Sequence, residues 1–465
     1  MTDTRQESDS LGTIEVPADR LWGAQTQRCL MNFPIGTDMM PVPFVRALGL
    51  QKKAAALANK DLGLLDAKLA DAIAVAAGEV AEGKHDAEFP LPVWQTGSGT
   101  QSNMNANEVI ANRASEMLGG TRGSKEPVHP NDHVNMGQSS NDTIPTVMLV
   151  SAVQELEGKL LPALAGMANS VAQFREKFGG VIKLGRTHFQ DATPITLGQA
   201  FSAYQAQVDA ATGALKQQLP RLSQLPQGGT AVGTGLNCHP DFASGFCDYL
   251  SSLSGLPFSP AANKFVGISA HDELVALSGV LNGAAAALMK IAGDIRLMGS
   301  GPRGGLAELI LPKNEPGSSI MAGKVNPTQG EALTMVCAQV MGNHTTVTIA
   351  GSQGQLELNA YKPVIIFNVL QSIRLLADAT ASFTARCLDG LKPDPDRIDT
   401  LLKSSLMLAT SLVPHIGYDK TAEIARLAND EKLLLKEAAL KLGYVTEEDF
   451  DRWTDPSQMT HPSDS

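Results

Sequence analysis

Between residues 145 and 390 the apolar side chains recur every three or four positions, which is the spacing of one face of an α-helix. The series in 151–178 comprises Val153, Leu156, Leu160, Leu164, Met167, Val171, Phe174 and Phe178. The series in 271–298 comprises Leu274, Leu277, Leu281, Ala285, Leu288, Ile291, Ile295 and Met298, and a third pattern lies in 356–387. Long helices with this much apolar surface usually pack into a bundle, often against other subunits. The pattern therefore predicts a mostly α protein with a central bundle of long helices.

The chain changes in character on either side of this helical region. The N-terminal part mixes short segments with turns and Pro/Gly-rich stretches such as NFPIGTDMMPVP. After the bundle, DGLKPDPDRID is typical of a linker and precedes a short helical tail. We therefore predict a mixed N-terminal domain (1–136), a long-helix bundle (137–390) and a small helical C-terminal domain (391–465).

Composition narrows the class of protein. The chain has 465 residues, of which 43% are hydrophobic and 18% charged, as in ordinary soluble globular proteins. The net charge of −11 argues against nucleic acid or an anionic membrane as the main partner, and no apolar run approaches the ~18 residues that a membrane span needs. The five scattered cysteines and the polar N-terminus MTDTRQESDS favour a reducing compartment without a signal peptide, so we expect a cytoplasmic location.

Four polar clusters stand near the starts of helical patterns: TGSGTQSNMN (96–105), GQSSND (137–142), GRTHFQDATP (185–194) and GSSIMAGKVNP (317–327). Free N–H groups and the dipole at a helix start favour anions, so four such starts meeting at one point would form a pocket for a small polyanion. Taken alone, each cluster is better explained by a capped helix. Asn326-Pro327 and Thr193-Pro194 have the sequence of an N-cap followed by proline, and Asn105 with Glu108 predicts a capping box.

The last cluster resembles a phosphate-binding loop only superficially. Gly317 precedes Gly323 by one residue more than the G-x-x-x-x-G-K-[ST] pattern allows, and Val325 stands where that pattern has a hydroxyl. Ser318 has no G-x-S-x-G motif around it, so an esterase nucleophile is not expected.

The chemically interesting residues each also have an ordinary structural explanation. Ser318 and Ser319 can be turn residues, and Lys324 can be an exposed lysine or a carboxylate anchor. His188 can be a structural hydrogen-bonding residue, and Glu331 can simply favour the helix dipole. The two histidines of HPNDH (129–133) have Pro130 between them and no H-E-x-x-H frame, so we do not expect a metal site there.

Taken together and in this order, these clusters and HPNDHVN resemble the fumarase/aspartase superfamily, and within it class II fumarase. The match extends from DSLGTIEVPADRLWGAQTQR to GYDKTAEIAR and so spans nearly the whole chain. The resemblance implies a three-domain, mostly helical fold whose long helices form a twenty-helix core in a homotetramer, with each active site shared by three subunits. It also implies a small dicarboxylate substrate and no metal or organic cofactor.

The activity implied by the resemblance is the reversible hydration of fumarate to L-malate, by removal of a proton alpha to a carboxylate through an aci-carboxylate intermediate. Ser318 would be the base and Lys324 would stabilise the developing charge, while His188 with Glu331 would hold the water. The residues expected to bind substrate are Ser98, Gly99, Thr100, Ser139, Ser140, Asn141, Thr187, Ser319, Lys324, Val325 and Asn326.

This sequence departs from the family pattern at two places. Ala322 stands where the family usually has proline, so we expect a looser loop. The family's second anion site matches at Val128, His129, Asn131 and Asp132, but Glu126-Pro127 replaces a basic pair. We therefore expect this second site to bind dicarboxylates weakly.

Two alternatives remain from the sequence. An aspartate ammonia-lyase of the same superfamily would share the signature loop but usually carries Gln where His188 stands. A catalytically silent structural homologue would be expected to lose Ser318, Lys324 or His188, and all three are present.

Overall fold

The computed structural model describes residues 3–462, and most of them are helical. The helices are α1 (Ala24–Asn32), α2 (Val42–Asp61), α3 (Ala67–Ala81), α4 (Thr100–Met117), α5 (Ser140–Glu155), α6 (Leu161–Phe178), α7 (Leu197–Lys216), α8 (Leu219–Leu222), α9 (Phe242–Ser254), α10 (Lys264–Ser269), α11 (Asp272–Met298), α12 (Thr328–Gly351), α13 (Lys362–Arg386), α14 (Pro395–Ser404), α15 (Val413–Ile416), α16 (Tyr418–Glu431), α17 (Leu435–Leu442) and α18 (Glu447–Trp453).

The strands are short and form two-stranded sheets. They are β1 (Thr4–Asp9), β2 (Gly12–Pro17), β3 (Ile182–Thr187), β4 (Gln190–Thr196), β5 (Gln224–Leu225), β6 (Ser259–Pro260), β7 (Leu309–Ile310), β8 (Gly354–Gln355), β9 (Leu358–Asn359) and β10 (Lys392–Pro393). The prediction of a mostly α fold is confirmed.

The long helices lie where the apolar periodicity predicts them. The series in 271–298 corresponds to α11, and the pattern in 356–387 contains α13. The series in 151–178 runs through α5 and α6, which are joined by a π-helical segment at Leu156–Leu160. The apolar positions of α11 are buried, and Leu274, Leu277 and Leu281 have no exposed surface. Burial of the periodic apolar face therefore accounts for these helices.

Two of the helix-start predictions are wrong and a third is displaced by one residue. Thr193 and Pro194 lie inside β4, and the next helix begins at Leu197. Asn105 and Glu108 lie inside α4, whose N-cap is Gly99. At the start of α12 the carbonyl of Pro327 accepts the first helical hydrogen bond, from the N–H of Glu331 at 3.1 Å, so the helix begins one residue later than Asn326-Pro327 suggests.

The described chain divides into two compact units, each built from three stretches. Unit 1 contains 1–162, 213–285 and 337–377, and unit 2 contains 163–212, 286–336 and 378–465. Helices α11, α12 and α13 contribute residues to both units. The division into three domains remains a prediction.

In unit 1, α2 packs against α3, α5 and α9, and α3 packs against α4. The interior of α2 contains Phe44 and Leu48 without exposed surface, and Ile73 fills the same role in α3. This layer of helices holds the starts of α4 and α5, which carry two of the polar clusters.

In unit 2, β3 and β4 form an antiparallel hairpin whose base packs on the C-terminal helices. Leu184 of β3 is buried in one cluster with Leu402, Leu408, Leu412 and Ile424. The C-terminal helices therefore fix the position of the hairpin that carries the GRTHFQDATP cluster.

Two helical segments, α11 and Lys362–Gly390, are long and apolar enough to span a membrane by length and composition. Core helices of soluble proteins pass the same test, and 44% and 56% of their apolar windows are buried within the protein. Both segments belong to the predicted bundle. The expectation that no apolar run approaches membrane-spanning length is wrong for these two helices by length and composition.

Candidate active site

The starts of α4 and α5 lie side by side in unit 1. The N-cap of α5 is Ser139, whose Oγ accepts from the N–H of Asn141 at 3.2 Å while its own N–H donates to the Asp142 carboxylate at 2.9 Å. This reciprocal arrangement is a capping box. A side chain at Gly99, the N-cap of α4, would place its Cβ 3.0 Å from Ile144 of α5. The positive ends of two helix dipoles are therefore neighbours.

The polar side chains at these two helix starts are partly exposed and have free hydrogen-bonding capacity. Ser98 Oγ and Thr100 Oγ1 lie 2.9 Å apart. Ser140 Oγ accepts from Asn103 Nδ2 at 2.9 Å, and Asn141 Nδ2 donates to the Ala231 carbonyl at 2.8 Å. The structure thus brings the predicted residues 98–100 and 139–141 together.

Beneath these helix starts lies a buried amide network that the sequence did not reveal. Lys52 of α2 has no exposed surface, and its Nζ donates to Gln138 Oε1 at 2.9 Å and to Asn135 Oδ1 at 3.1 Å. Asn103 Nδ2 donates to the same Asn135 oxygen at 3.1 Å as well as to Ser140. The buried amine is therefore connected to the hydroxyl of Ser140, a predicted substrate-binding group, through the side chains of Asn135 and Asn103.

Two ionisable groups of this region are fully buried. Burial lowers the pKa of Lys52 to about 7, against the opposing effect of the Asp142 carboxylate. Burial likewise raises the pKa of Asp142 to about 6, although the backbone N–H groups of Ser139, Thr230 and Gly228 favour its charged form. A buried acid, Asp142, therefore lies in the first turn of α5, and a buried base, Lys52, interacts with it electrostatically.

In the segment predicted to form the second anion site, backbone N–H groups already donate to side chains of the protein. The imidazole Nδ1 of His129 accepts from the N–H groups of Asn131 and Asp132 at 3.2 and 3.1 Å. Val128 is buried, and its N–H donates to Ser115 Oγ at 3.2 Å. The amides that an anion would use therefore already have a partner, and weak binding at this place remains our prediction. Among residues 3–462, no group of three or more His, Cys, Asp or Glu side chains is arranged to hold a metal ion.

In unit 2, His188 and Phe189 form the two-residue tip of the β3–β4 hairpin. Their φ angles are 56° and 60°, as required at both central positions of a type I′ turn, where glycine or asparagine is usual. Bulky residues in this conformation cost on the order of 1 kcal/mol each or more, and such strain is concentrated at functional sites. Both side chains are exposed, so the hairpin presents His188 to solvent at its tip.

The base of this hairpin is held by a buried ion-pair cluster. The carboxylate of Glu308, which has no exposed surface, lies 2.8 Å from Arg186 Nη1 and 3.2 Å from Lys183 Nζ. Burial lowers the pKa of Lys183, and the Glu308 carboxylate opposes that effect. Arg186 is two residues from His188, so the cluster and the apolar packing of Leu184 together fix the hairpin.

The loop of GSSIMAGKVNP is closed by one backbone hydrogen bond and one hydrogen bond from a side chain. The N–H of Gly317 donates to the Lys324 carbonyl at 3.0 Å, and Asn326 Nδ2 donates to the Gly317 carbonyl at 2.5 Å. A side chain at Gly317 would put its Cβ 2.2 Å from the Lys324 carbonyl oxygen, so only glycine allows this closure. Gly323, Lys324 and Val325 of the loop line a cavity of about 270 Å³.

Ser318 receives two backbone hydrogen bonds within this loop. Its Oγ accepts from the N–H of Met321 at 2.9 Å and from the N–H of Ile320 at 3.2 Å. Donors aimed at an oxygen favour its charged form, so this serine is placed where an alkoxide would be stabilised. Lys324 follows a tight turn and is exposed.

Comparison with known proteins identifies the family. Residues 12–342 match the family described as "Lyase", and residues 408–461 match "Fumarase C C-terminus". The fumarate hydratase class II of Methylorubrum extorquens is 61% identical over 461 residues, covering 99% of this chain and 98% of that protein. The chain belongs to the class II fumarase family. The mitochondrial fumarate hydratase of Danio rerio is 58% identical over 460 residues, covering 98% of this chain and 90% of that protein.

A solved class II fumarase shows the same fold. The crystal structure of recombinant class II fumarase from Schistosoma mansoni is 48% identical, has a TM-score of 0.96, and covers 99% of this chain and 100% of that chain. The family resemblance drawn from the motifs is therefore confirmed.

Glu331 and His188, which the family resemblance predicts to act together, are not joined by a hydrogen bond among the described residues of one chain. Glu331 faces Arg296 at 3.9 Å, and no hydrogen bond joins it to His188 among residues 3–462. Nor does a hydrogen bond link the hairpin tip to Ser318 in that part of the chain. The relay between His188 and Glu331 remains a prediction.

Proposed function

We propose that this class II fumarase catalyses the reversible hydration of fumarate to L-malate. The observation that carries the proposal is the environment of Ser318, whose Oγ accepts hydrogen bonds from two consecutive backbone N–H groups. A serine hydroxyl is a poor base, and its alkoxide becomes accessible only where donors stabilise it and water is excluded. The loop carries these donors together with the serine, and its closure over bound substrate would exclude water.

The reaction creates negative charge next to a carboxylate. Loss of the proton on C3 of malate gives a carbanion that is delocalised into the adjacent carboxylate as a dianionic aci form. Donors that are in place before this charge develops stabilise the transition state most. Lys324 and the N–H groups at the start of α12 supply positive charge and donors on the same loop as Ser318, and Asn326 closes that loop.

The other carboxylate requires a second set of donors. The adjacent starts of α4 and α5 offer two dipole ends, the hydroxyls of Ser98, Thr100 and Ser140, and the amide of Asn141. His188, exposed on its hairpin, would hold the water whose proton accompanies the leaving hydroxyl. No step of this chemistry calls for a group beyond these side chains and water.

The proposal includes assembly into a homotetramer, with sites that combine clusters from three subunits in the cytoplasm. Within one chain the hairpin and the loop share no hydrogen bond among the described residues. Helix α12 also exposes large apolar side chains, with Met335 68% and Ile349 59% exposed. Burying such side chains against other copies would be favourable. A solution mass of four chains, with activity lost on dissociation, is the expected result.

The activity is tested by following the ultraviolet absorbance of the fumarate double bond. The purified protein is added to L-malate and, separately, to L-aspartate. We expect the band to appear with malate. A band that appears only with aspartate would make the protein an aspartate ammonia-lyase, and no band with either compound would favour a silent homologue.

A further inference from the structure

We infer that Lys52 is a positioning residue for substrate binding: through Asn135 and Asn103 it turns the hydroxyl of Ser140 toward a carboxylate of the bound dicarboxylate. The inference rests on the proposed function, because it concerns how that function's substrate is held. Lys52 lies on α2 and does not reach the open side of the helix starts, so it acts through the buried amides.

The first step is the orientation of two amide side chains. The Nζ group of Lys52 donates to Asn135 Oδ1 and to Gln138 Oε1, and an ammonium group has donors but no acceptor. The oxygen ends of both amides must therefore face Lys52. The Nδ2 end of Asn135 then points away and donates to the Gln138 carbonyl at 3.2 Å.

In the second step, the orientation of Asn135 determines the orientation of the Asn103 amide. Because Asn135 presents its oxygen, Asn103 must present its NH₂ group to it, at 3.1 Å. Asn107 does the same at 3.2 Å. The remaining N–H of Asn103 Nδ2 donates to Ser140 Oγ at 2.9 Å. Lys52 thus determines which end of Asn103 meets the serine.

The third step concerns the single hydroxyl hydrogen of Ser140. A serine hydroxyl has one donor and two acceptor positions. With Asn103 occupying an acceptor position, the O–H remains available to donate toward the partly exposed side, where an anionic carboxylate would lie. If the amide of Asn135 were rotated by 180°, Asn103 would present its oxygen to Ser140. The Ser140 O–H would then donate to Asn103 and not to the substrate.

The ammonium form of Lys52 forces this orientation and the neutral form permits it, because a neutral amine has two N–H donors and one lone pair. The charged group that acts on Lys52 is Asp142 of α5, whose carboxylate is held by the N–H groups of Ser139, Gly228 and Thr230. A neutral amine still has the two N–H donors that Asn135 and Gln138 use. Protonation adds an electrostatic attraction for the substrate without changing the arrangement.

The experiment replaces Lys52 by methionine, which has a similar length and no donor. The variant is expected to fold because methionine fills the volume of the lysine stem and Gln138 Oε1 retains Gln51 Nε2 at 2.9 Å. Asn135 Oδ1, however, loses the one partner that can only donate and is left with the amides of Asn103 and Asn107, which can themselves turn over. We expect Lys52→Met to raise KM for fumarate and the dissociation constant for succinate, measured by calorimetry, about tenfold, with kcat changed less than about threefold. Lys53→Met, at the next and partly exposed position of α2, is the matched control and should leave these constants unchanged.

A double-mutant cycle with Ser140→Ala separates positioning from a general structural effect. If Lys52 acts through Ser140, adding Lys52→Met to Ser140→Ala should raise KM little further. If the KM increases of the two single variants multiply in the double variant, the inference is overturned. Unchanged KM and unchanged succinate affinity in Lys52→Met would also overturn it. If Lys52→Met does not fold, Lys52→Gln serves instead, and its KM effect must vanish in the Ser140→Ala background. An active wild type with a failed cycle would refute only the role of Lys52, whereas a wild type inactive on malate would refute the proposed function and this inference with it.

Discussion

The backbone N–H of Met321 lies 2.9 Å from Oγ of Ser318 and donates a hydrogen bond to it. The donor belongs to a turn three residues further along the same loop, so any movement of the loop carries serine and donor together. The alkoxide would therefore keep its stabilising partners while the loop approaches the substrate. This relationship is why Ser318 is the first residue to test.

Ser318→Ala removes the proposed base without disturbing the closing hydrogen bonds of the loop. We expect kcat to fall by roughly 10²–10⁴-fold, the range for loss of a general acid or base, with little change in KM or in the circular dichroism spectrum. Steady-state kinetics on malate measure both constants. The control is Ser352→Ala at an exposed position, and a near-normal kcat in Ser318→Ala would exclude serine as the base.

His188→Asn tests whether the histidine acts in the chemical step. Asparagine tolerates the left-handed conformation that His188 adopts at φ 56°, so the hairpin should keep its shape. We expect kcat to decrease by about 10²-fold and KM to change much less. His461→Asn, at an exposed position near the end of the described chain, is the control. A change confined to KM would show that His188 only binds substrate.

Glu308→Gln tests the ion-pair cluster that supports the hairpin. The substitution leaves Arg186 and Lys183 without their carboxylate partner. We expect a loss of about 2 kcal/mol in the free energy of unfolding, together with a lower kcat because His188 is held less firmly. Chemical unfolding and kinetics measure the two effects, with Glu448→Gln as the exposed control. Unchanged kcat with reduced stability would show that the cluster has no part in placing His188.

Ala322→Pro tests the looser loop expected from the sequence. The N–H of Lys324 donates to the Met321 carbonyl at 3.2 Å and Gly323 has φ 81°, the features of a type II turn, in which proline is common at the position of Ala322. We expect the substitution to stabilise the turn by about 0.4–1 kcal/mol and so to make the loop less mobile. Slower proteolysis within the loop and an altered kcat at unchanged KM would support this, whereas a raised KM would show that proline distorts the binding groups.

The pKa of Lys52 predicts a pH dependence of stability. The folded value of about 7 lies below the ordinary value of 10.5, so between these limits the unfolded chain binds a proton that the folded chain does not. The free energy of unfolding should therefore rise with pH across this window, and the contribution should be lost as pH falls through about 7. Denaturant unfolding at several pH values should show a smaller rise for Lys52→Met. Parallel curves would place the folded pKa of Lys52 at its ordinary value.

The helices could be predicted from the sequence, but the hairpin could not. Burial of a periodic apolar face determines both the pattern and the element, so α11 and α13 lie where the sequence placed them. The hairpin tip has neither glycine nor asparagine, the usual signal for its turn. Thr193-Pro194 imitates a helix start, yet proline is tolerated in a two-stranded hairpin because its strands are edges.

The site could be predicted as a set of segments but not as an arrangement. Cluster sequences identify which side chains carry the chemistry, whereas their spatial grouping depends on packing between distant stretches. Lys52 was missed because lysine is usually solvated. A usable signal existed: Leu48, Lys52, Ala55 and Asn59 follow one another at helical spacing on the buried face of α2. A lysine within such a stripe indicates a buried amine that needs partners.

The packing of Leu184 against Leu408, Leu412 and Ile424 has a consequence for biosynthesis. Strand β3 leaves the ribosome long before the helices that cover it, since those helices come from the last part of the chain. Until translation is nearly finished, the C-terminal residues that pack against Leu184 have not been synthesised. We therefore expect the histidine tip to become ordered late, because a chain that lacks Leu408, Leu412 and Ile424 offers Leu184 no apolar partner at these positions.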